Sequence, residues 1–250
     1  MPEEIDRTTI ATAGRLGFPP DAEDLDASAV LALALHRIGR DRLVLVSSFG
    51  VEDMVLLDLL VRLEPRPRVV TLDTGRLPEE TYAVMEAARE QYAVDLEIYA
   101  PDAAAVEELV RRDGPNLMYQ SLDNRLSCCE IRKVRPLNRA LSTADGWITG
   151  VRRGQTPSRK GVRKLAVDLE HGLIWKAAPL ADWTSDQVWD YVRRYGVPYN
   201  ALHDAGFPSI GCAPCTRAVG PGDDPRSGRW WWEQDGSREC GLHVPKGSTK

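Results

Sequence analysis

The sequence predicts an α/β fold in which a parallel, twisted sheet carries helices on both faces. β-Branched runs alternate with segments whose apolar residues recur at helical spacing, which is typical of strands joined by crossover helices. Three of the runs end in small polar or glycine-containing turns, with the sequences SSFG, LDTG and TGVRR. Ligands of such folds bind beyond the carboxyl ends of the strands, so we expect these turns to meet at one site.

The predicted elements follow in order along the chain. A first helix near residues 25–40 precedes the strand segments RLVLVSSFG, RVVTLDTG, DLEIYA and GWITGVRR, and helices are predicted at residues 51–63, 78–93 and 103–112. KLAVDLEHGLIWKAAPL is predicted to be a hairpin that turns at His171 and Gly172. Thr184 and Gln187 form a capping-box pattern before a further helix. Residues 1–228 are therefore predicted to be a single α/β domain, and residues 229–250 a flexible C-terminal tail.

Composition narrows the classes of function. The chain has 250 residues and a net charge of −5, which argues against general binding to nucleic acid or to anionic membranes. The N-terminal sequence has no apolar segment typical of a signal peptide, and no apolar run is long enough for a membrane span. We therefore expect a cytoplasmic protein. Its odd number of cysteines favours metal ligands or nucleophiles over a disulfide framework.

The cysteines are the strongest functional signal. Cys128 and Cys129 are adjacent, and Cys212 and Cys215 form a Cys-x-x-Cys pair. Adjacent cysteines do not readily form a disulfide with each other, whereas two pairs of thiolates can bind a metal centre. An iron–sulfur cubane takes one cysteine per iron, and this favours a cubane over one zinc ion, which would need two neighbouring residues as ligands. Buried structural thiols are the less favoured alternative.

Cys240 stands apart from these pairs, in the segment ECGLH. Arg238 and His243 lie close to it in sequence, and cationic neighbours favour the reactive thiolate over the thiol. We therefore expect Cys240 to be a nucleophile, the alternative being an inert surface cysteine.

The strand-end turns carry residue types that suit a nucleotide. Ser47, Ser48 and Gly50 can offer hydrogen-bond donors to an anion at a helix N-terminus, although the Walker pattern of triphosphatases is absent. In LDTG, Thr74 can contact a nucleoside. For both turns an ordinary capped turn is the alternative.

The segment VRRGQTPSRKGVRK is strongly basic and contains no acidic residue. Arg152 and Arg159 within it are candidates for a clamp on phosphate or sulfate, because guanidinium groups bind such oxygens in pairs. An RNA-contacting loop and a solvated basic loop are the alternatives.

Taken together, SSFGVED, LDTG, CCEIRKVRPL, TGVRRGQTPSR, GCAPCTR and ECGLH resemble the sulfonucleotide reductases, and more narrowly the bacterial assimilatory adenosine 5′-phosphosulfate (APS) reductases. The resemblance extends from Arg42 to His243, with the motifs in the family's order. It implies the PP-loop type of fold, also called adenine nucleotide alpha hydrolase-like. Enzymes that use 3′-phosphoadenosine 5′-phosphosulfate (PAPS) typically lack both cysteine pairs, so the resemblance implies APS as substrate. It also implies one 4Fe–4S cluster per chain, with Cys128, Cys129, Cys212 and Cys215 as its ligands.

The resemblance further implies a reaction. Cys240 attacks the sulfuryl group and releases AMP, and a reduced thioredoxin or glutaredoxin-like protein then releases sulfite from the Cys240 S-sulfonate. The cluster is implied to set the position and field of the substrate and not to carry electrons. Lys133 lies four residues after Cys129, on the same face if the segment is helical.

Twelve residues are implied to contact the substrate. Those at the phosphate are Ser47, Ser48 and Gly50, those around the adenosine are Leu72, Thr74 and Gly150, and the charged contacts are Lys133, Arg152, Arg159, Arg226, Arg229 and His243.

Three alternatives stay open at this point. They are a PAPS reductase with a cluster, a PP-loop ATP pyrophosphatase that acts in tRNA thiolation, and a zinc-binding interaction module without enzymatic activity. The ECGLH segment and the negative net charge argue against the tRNA enzyme. We do not expect the protein to bind nucleic acid or a membrane. A homo-oligomer is compatible with the sequence.

Overall fold

The structure is a computed structural model that describes residue 19 and residues 21–233. A six-stranded sheet lies at its centre, and the spatial order of the strands is β3-β2-β1-β4-β6-β5. The strands are β1 (Leu43–Ser47), β2 (Arg68–Leu72), β3 (Leu96–Tyr99), β4 (Gly146–Ile148), β5 (Leu165–Asp168) and β6 (Ile174–Ala177). The α-helices are α1 (Ala27–Ile38), α2 (Val51–Leu63), α3 (Glu79–Tyr92), α4 (Ala103–Asp113), α5 (Leu122–Cys129), α6 (Arg135–Leu141) and α7 (Ser185–Tyr195).

Strand directions confirm the predicted parallel sheet. β1 pairs in parallel with β2 on one side and with β4 on the other, and β3 and β6 extend the parallel set. In β1, Leu43, Val44 and Leu45 are all buried, as expected for a central strand covered on both faces. Of the six strands described, the edge strand β5 alone runs antiparallel to its neighbour, β6.

Helices cover both faces, as predicted. On one face, α1, α2 and α7 pack against the sheet in the larger core, to which Leu31, Leu57 and Val188 belong. On the other face, α6 packs Leu137 and Leu141 into a smaller core with residues of β1, β2 and β4. The two layers leave the carboxyl ends of the strands open to loops, which is where the candidate site forms.

Two local predictions are also confirmed. β5 and β6 form the expected hairpin, and Gly172 adopts φ 92° at its turn, a conformation that favours glycine. At the start of α7, the Thr184 side chain accepts the Gln187 backbone N–H, and the Gln187 side chain accepts the Thr184 backbone N–H in return.

The segment after the adjacent cysteines departs from regular helix. Residues Glu130–Val134 form a π-helical turn between α5 and α6. Pro136 follows two residues later and cannot donate a backbone hydrogen bond, and its ring would crowd the carbonyl four residues earlier in an α-helix. One wider turn relieves that conflict, and such turns are frequent at functional sites.

The start of the C-terminal segment packs against the domain. Trp230 is 1% exposed, and Arg229 is buried as well. The Glu233 carboxylate forms a buried ion pair with Arg125 of α5. The division of the chain at residues 228 and 229 stays a prediction. Within the part of the chain that the structure describes, no helix has the length and apolar character needed to cross a bilayer.

Candidate active site

The three strand-end turns lie at one edge of the sheet, because β1, β2 and β4 are parallel neighbours. Direct contacts join the turn after β4 to the start of α2, which follows the turn after β1, and join the turn after β2 to the Cys-x-x-Cys segment. Gly150, after β4, packs against Asp53 and Glu52 at the start of α2. Thr74, after β2, places its hydroxyl 3.3 Å from the sulfur of Cys212. A single region therefore contains all three predicted turns.

The SSFG turn is held in an unusual backbone conformation. Phe49 adopts φ 56°, which costs energy for a residue with a side chain, and its ring is buried. The Ser47 hydroxyl accepts the Phe49 backbone N–H at 3.1 Å. Helix α2 then begins after Gly50 without a side-chain cap. Its first backbone N–H groups are therefore suited to an anion, as the sequence suggested.

A carboxylate fixes this turn from within. The Asp53 carboxylate accepts both the backbone N–H and the hydroxyl of Ser48, each at 2.7 Å. Its other oxygen lies against Gly150, where a Cβ would overlap it. Burial raises the pKa of Asp53 to about 6, against the opposing effect of the Ser48 hydrogen bonds. In this structure the Ser48 donors are thus directed at Asp53.

The basic loop after β4 is largely paired with acidic and polar groups. Arg152 forms a part-buried ion pair with Glu52 at 2.8 Å and donates to the Trp183 carbonyl at 3.1 Å. Arg153 pairs with Glu23, and Arg159 donates to the Gln155 side chain. The predicted clamp residues lie at the expected strand end, with Arg152 engaged by a carboxylate.

The four paired cysteines line one cavity. Cys128 and Cys129 reach it from the end of α5, and Cys212 and Cys215 from the loop around a 3₁₀ turn at Ala213–Cys215. All four are free thiols and buried. Burial raises the pKa of Cys215 to about 11 and raises that of Cys128. Among the described residues, no three His, Cys, Asp or Glu side chains are arranged to hold one metal ion.

Cations surround this cavity. Its lining includes Arg76, Arg125, Arg132, Lys133 and Arg229, and no carboxylate is among the lining residues that the structure describes. Arg132 donates to the Thr74 carbonyl at 2.7 Å, and its Nε has no hydrogen-bond partner within the described ranges. Arg229 donates to the carbonyls of Cys215 and Ile210, each at 3.2 Å. Arg125 is paired with Glu233, but the carbonyl partners of Arg132 and Arg229 leave their positive charge uncompensated, so the cavity favours an anionic occupant.

This donor set and charge fit an iron–sulfur cubane. Four thiolates on a 4Fe–4S core carry a net negative charge, and a cubane takes one cysteine per iron. The hydroxyl of Thr74 beside Cys212 supplies a polar contact of the kind that tunes such centres. The residues that would hold the group are therefore the four predicted cysteines.

Trp230 joins the two cysteine segments. Its ring lies 4.6 Å from the guanidinium carbon of Arg125, which belongs to the same helix as Cys128, and 4.7 Å from that of Arg229. Close packing of Arg229 requires Gly211, since a Cβ at that position would overlap the guanidinium group. Trp230 itself adopts φ 45°, a strained conformation held by these contacts.

The structure places the predicted residues in two neighbouring groups. Lys133, Arg229 and the four cysteines line the cavity, and Cys129 and Lys133 both reach it although a π-helical turn joins them. Leu72 and Thr74 lie at the end of β2, and Arg226 lies 5.9 Å from the Trp230 ring. The strand-end group comprises Ser47, Ser48, Gly50, Gly150, Arg152 and Arg159. Cys240 and His243 lie outside the described residues.

Sequence reasoning missed four residues of this region. Arg76 and Arg132 line the cavity, and Glu52 and Asp53 organise the strand-end turns. Each lies in or beside a motif that the sequence singled out, namely LDTG, CCEIRKVRPL and SSFGVED. Their position in or beside a motif was the one sign in the sequence that these four residues belong to the site. The residues that they contact are known only from the structure.

Comparison with known proteins identifies the family. The sequence profile described as "Phosphoadenosine phosphosulfate reductase domain" matches residues 42–218. An adenosine 5′-phosphosulfate reductase of Sinorhizobium fredii is 46% identical over 91% of this chain and 89% of its own length. That of Allochromatium vinosum is 46% identical over 87% of this chain and 85% of its own.

Solved structures agree on the fold. The phosphoadenylyl-sulfate reductase of Candida auris, solved as a phosphate complex, has a TM-score of 0.65 at 27% identity and covers 79% of this chain and 97% of its own. Yeast FAD synthetase, at 14% identity and a TM-score of 0.56 over 84% of this chain and 73% of its own, shares the fold alone. The chain thus has the PP-loop, adenine nucleotide alpha hydrolase-like architecture that the motifs implied. It belongs to the phosphoadenosine phosphosulfate reductase domain family, in company with the bacterial adenosine 5′-phosphosulfate reductases.

Proposed function

We propose that this protein reduces APS to sulfite and AMP in assimilatory sulfate reduction, through an S-sulfonate on Cys240. The observation that carries the proposal is the cavity that four cysteines and five cations share, beside the strand ends that suit a nucleotide. The names of the bacterial relatives support APS as the substrate.

The chain's own residues suit the substrate's charge. A nucleotide that bears a phosphosulfate repels a thiolate, so cations must neutralise it before a thiolate can approach. Lys133 and Arg229 line the cavity, and we assign them, with Arg159 and Arg226, to the phosphosulfate. The uncapped start of α2 after Gly50 suits the phosphate, and the Leu72, Thr74 and Gly150 turns suit the adenosine.

We propose that the sulfuryl group is transferred to Cys240 and then released as sulfite by two successive thiolate attacks. The Cys240 thiolate forms a bond to the substrate sulfur, the bond between that sulfur and the phosphate oxygen breaks, and AMP leaves with the electron pair. One thiolate of a reduced dithiol protein then attacks the Cys240 sulfur, and sulfite leaves. The second thiol of the dithiol protein resolves the mixed disulfide, so the dithiol is oxidised and Cys240 is regenerated as a thiolate. We propose a thioredoxin or a glutaredoxin-like protein as this reductant.

We further propose that Cys128, Cys129, Cys212 and Cys215 hold one 4Fe–4S cluster. When bound, the cluster would supply negative charge beside the substrate site. Lys133, Arg132 and Arg229 line the same cavity as the cysteines, and their positive charges would balance the cluster and the substrate together.

The test is a single-turnover reaction of the anaerobically purified protein with APS and without reductant. We expect a Cys240 adduct heavier by one sulfite group, together with one equivalent of AMP, and sulfite release after reduced thioredoxin is added. The Cys240→Ser variant should bind AMP and form no adduct. Full sulfite release by that variant would contradict the proposed nucleophile.

PAPS is the second candidate substrate, because the family profile and the Candida auris relative both bear that name. Initial rates with APS and PAPS at equal concentrations separate the two. We expect APS to be preferred, and a preference for PAPS would overturn the substrate assignment while leaving the chemistry intact.

A further inference from the structure

A buried carboxylate joins the two loops that we assign to opposite halves of the nucleotide. Asp53 lies in the first turn of α2 and is 7% exposed. One of its oxygens accepts both donors of Ser48, in the turn after β1, at 2.7 Å each. Its other oxygen packs directly against Gly150, in the turn after β4.

The contact with Gly150 is close. A Cβ at position 150 would overlap the second carboxylate oxygen of Asp53, so glycine is required for the turn to approach. The burial that raises the pKa of Asp53 makes its charge costly, which indicates that the hydrogen bonds it accepts are what retain it.

We propose that Asp53 is a positioning residue that couples the phosphate-side turn (residues 47–50) to the adenosine-side turn (residues 149–153). The inference rests on the proposed function, because the two turns matter together only if one nucleotide spans them. We assign Asp53 no contact with the reacting atoms. It holds the Ser48 donors inward and sets the distance between the two turns, so loss of its charge loosens both.

The same helix offers a matched control. Asp58 is also buried, at 5% exposed, but accepts hydrogen bonds from Arg62, Tyr92 and Tyr191 instead. These partners lie on α2, α3 and α7, and not on the strand-end turns. Asp58→Asn therefore makes the same chemical change in the same helix without touching either turn.

The experiment measures two quantities on the cluster-loaded protein. Hydrogen–deuterium exchange reports the mobility of peptides that cover residues 47–50 and 149–153, and calorimetry reports the affinity for AMP. For Asp53→Asn we expect faster exchange in both peptides and AMP affinity about tenfold weaker or more, since an amide carries no charge and turns an NH₂ group towards either Ser48 or Gly150. For Asp58→Asn we expect lower stability with both quantities unchanged.

The results distinguish failure of the coupling from failure of the proposed function. Exchange and AMP affinity of Asp53→Asn that match those of Asp58→Asn would overturn the coupling. Wild-type protein that fails to bind AMP would overturn the proposed function, while the exchange of the two peptides would still decide the coupling.

A second variant covers the case in which Asp53→Asn does not fold. Ser48→Ala removes one donor to Asp53, and within the described residues Ser48 has no hydrogen bond to the turn after β4. Coupling predicts faster exchange in the 149–153 peptide of this variant. Unchanged exchange there would contradict the proposal.

Discussion

The cysteine cavity and the strand-end turns are neighbours, but their arginines have different partners. Around the cavity, Arg132 and Arg229 bond to backbone carbonyls, and the described lining contains no carboxylate. At the strand ends, Arg152 is paired with Glu52 and Arg153 with Glu23. The difference indicates where an outside anion is most favoured. Arg152 and Arg153 are balanced by carboxylates of the protein, whereas the carbonyl partners of Arg132 and Arg229 leave their positive charge available to an anion.

The largest expected effect is at the cavity. Cys212→Ser replaces a predicted cluster ligand with a hydroxyl, which is a poor ligand for iron, so we expect loss of the visible absorption of the cluster and of all measurable sulfite release. Cys240→Ser is the matched control, because it should lose sulfite release but keep the absorption spectrum. A Cys212→Ser protein with normal cluster content would contradict the ligand assignment.

Removal of a cavity cation should have the next largest effect. Lys133→Ala deletes a positive charge from the cavity lining, and loss of one such stabilising group typically lowers kcat by about 10²- to 10³-fold. Stopped-flow measurement of Cys240 adduct formation would show this directly. Lys133→Arg should recover part of the rate, and equal rates for wild type and Lys133→Ala would remove Lys133 from the site.

Substitution of a paired arginine at the strand-end turns should mainly lower the free energy of unfolding. Arg152→Met leaves the part-buried Glu52 carboxylate without its ion-pair partner, and the cost of breaking a fully buried pair, about 3–5 kcal/mol of unfolding free energy, is the upper limit of the expected loss. Urea denaturation of the wild type and the variant provides the measurement. If Arg152→Met unfolds at the wild-type urea concentration but loses AMP affinity strongly, Arg152 is a ligand contact and the contrast between the regions is wrong.

The smallest effect concerns pH and compares two buried carboxyl groups. Burial raises the pKa of Asp53 to about 6, so the folded state holds this proton more tightly than the unfolded chain does. Its contribution to stability is then greatest below about pH 4 and falls by about 3 kcal/mol as the pH rises through 6. Asp53→Asn should flatten that part of the stability profile, as urea unfolding between pH 4 and 8 would show.

Asp168 should behave in the opposite way. Burial alone would raise its pKa, but the hydrogen bond and charge of His171 outweigh burial and lower the pKa to about 2. Its contribution is present above about pH 4 and is lost as the pH falls through 2. Asp168→Asn should therefore lower stability at pH 7, with a smaller deficit at pH 2. A constant deficit at both pH values would contradict this assignment.

Local sequence patterns predicted much of the fold because they depend on neighbouring residues. The alternation of β-branched and helical segments predicted the parallel order, and the capping residues Thr184 and Gln187 predicted the start of α7. The two cysteine pairs predicted that four thiols meet at one place, because two close pairs of thiolates can bind one metal centre. The structure places all four at one cavity.

Contacts between distant residues could not be predicted in this way. Glu52 and Arg152 are 100 residues apart, and nothing in a basic loop reveals that one of its arginines is paired with a carboxylate. Asp53 likewise gives no sign in sequence that it contacts Ser48 and Gly150 together. The π-helical turn before Pro136 depends on how the chain resolves a local steric conflict.

The central claim is that the cation-lined cavity holds a 4Fe–4S cluster on its four cysteines. The most direct measurement is the iron, zinc and acid-labile sulfide content of the protein after anaerobic purification. We expect about four iron and four sulfide per chain, with both lost in Cys212→Ser. One zinc per chain without sulfide, or no metal in a correctly folded protein, would contradict it.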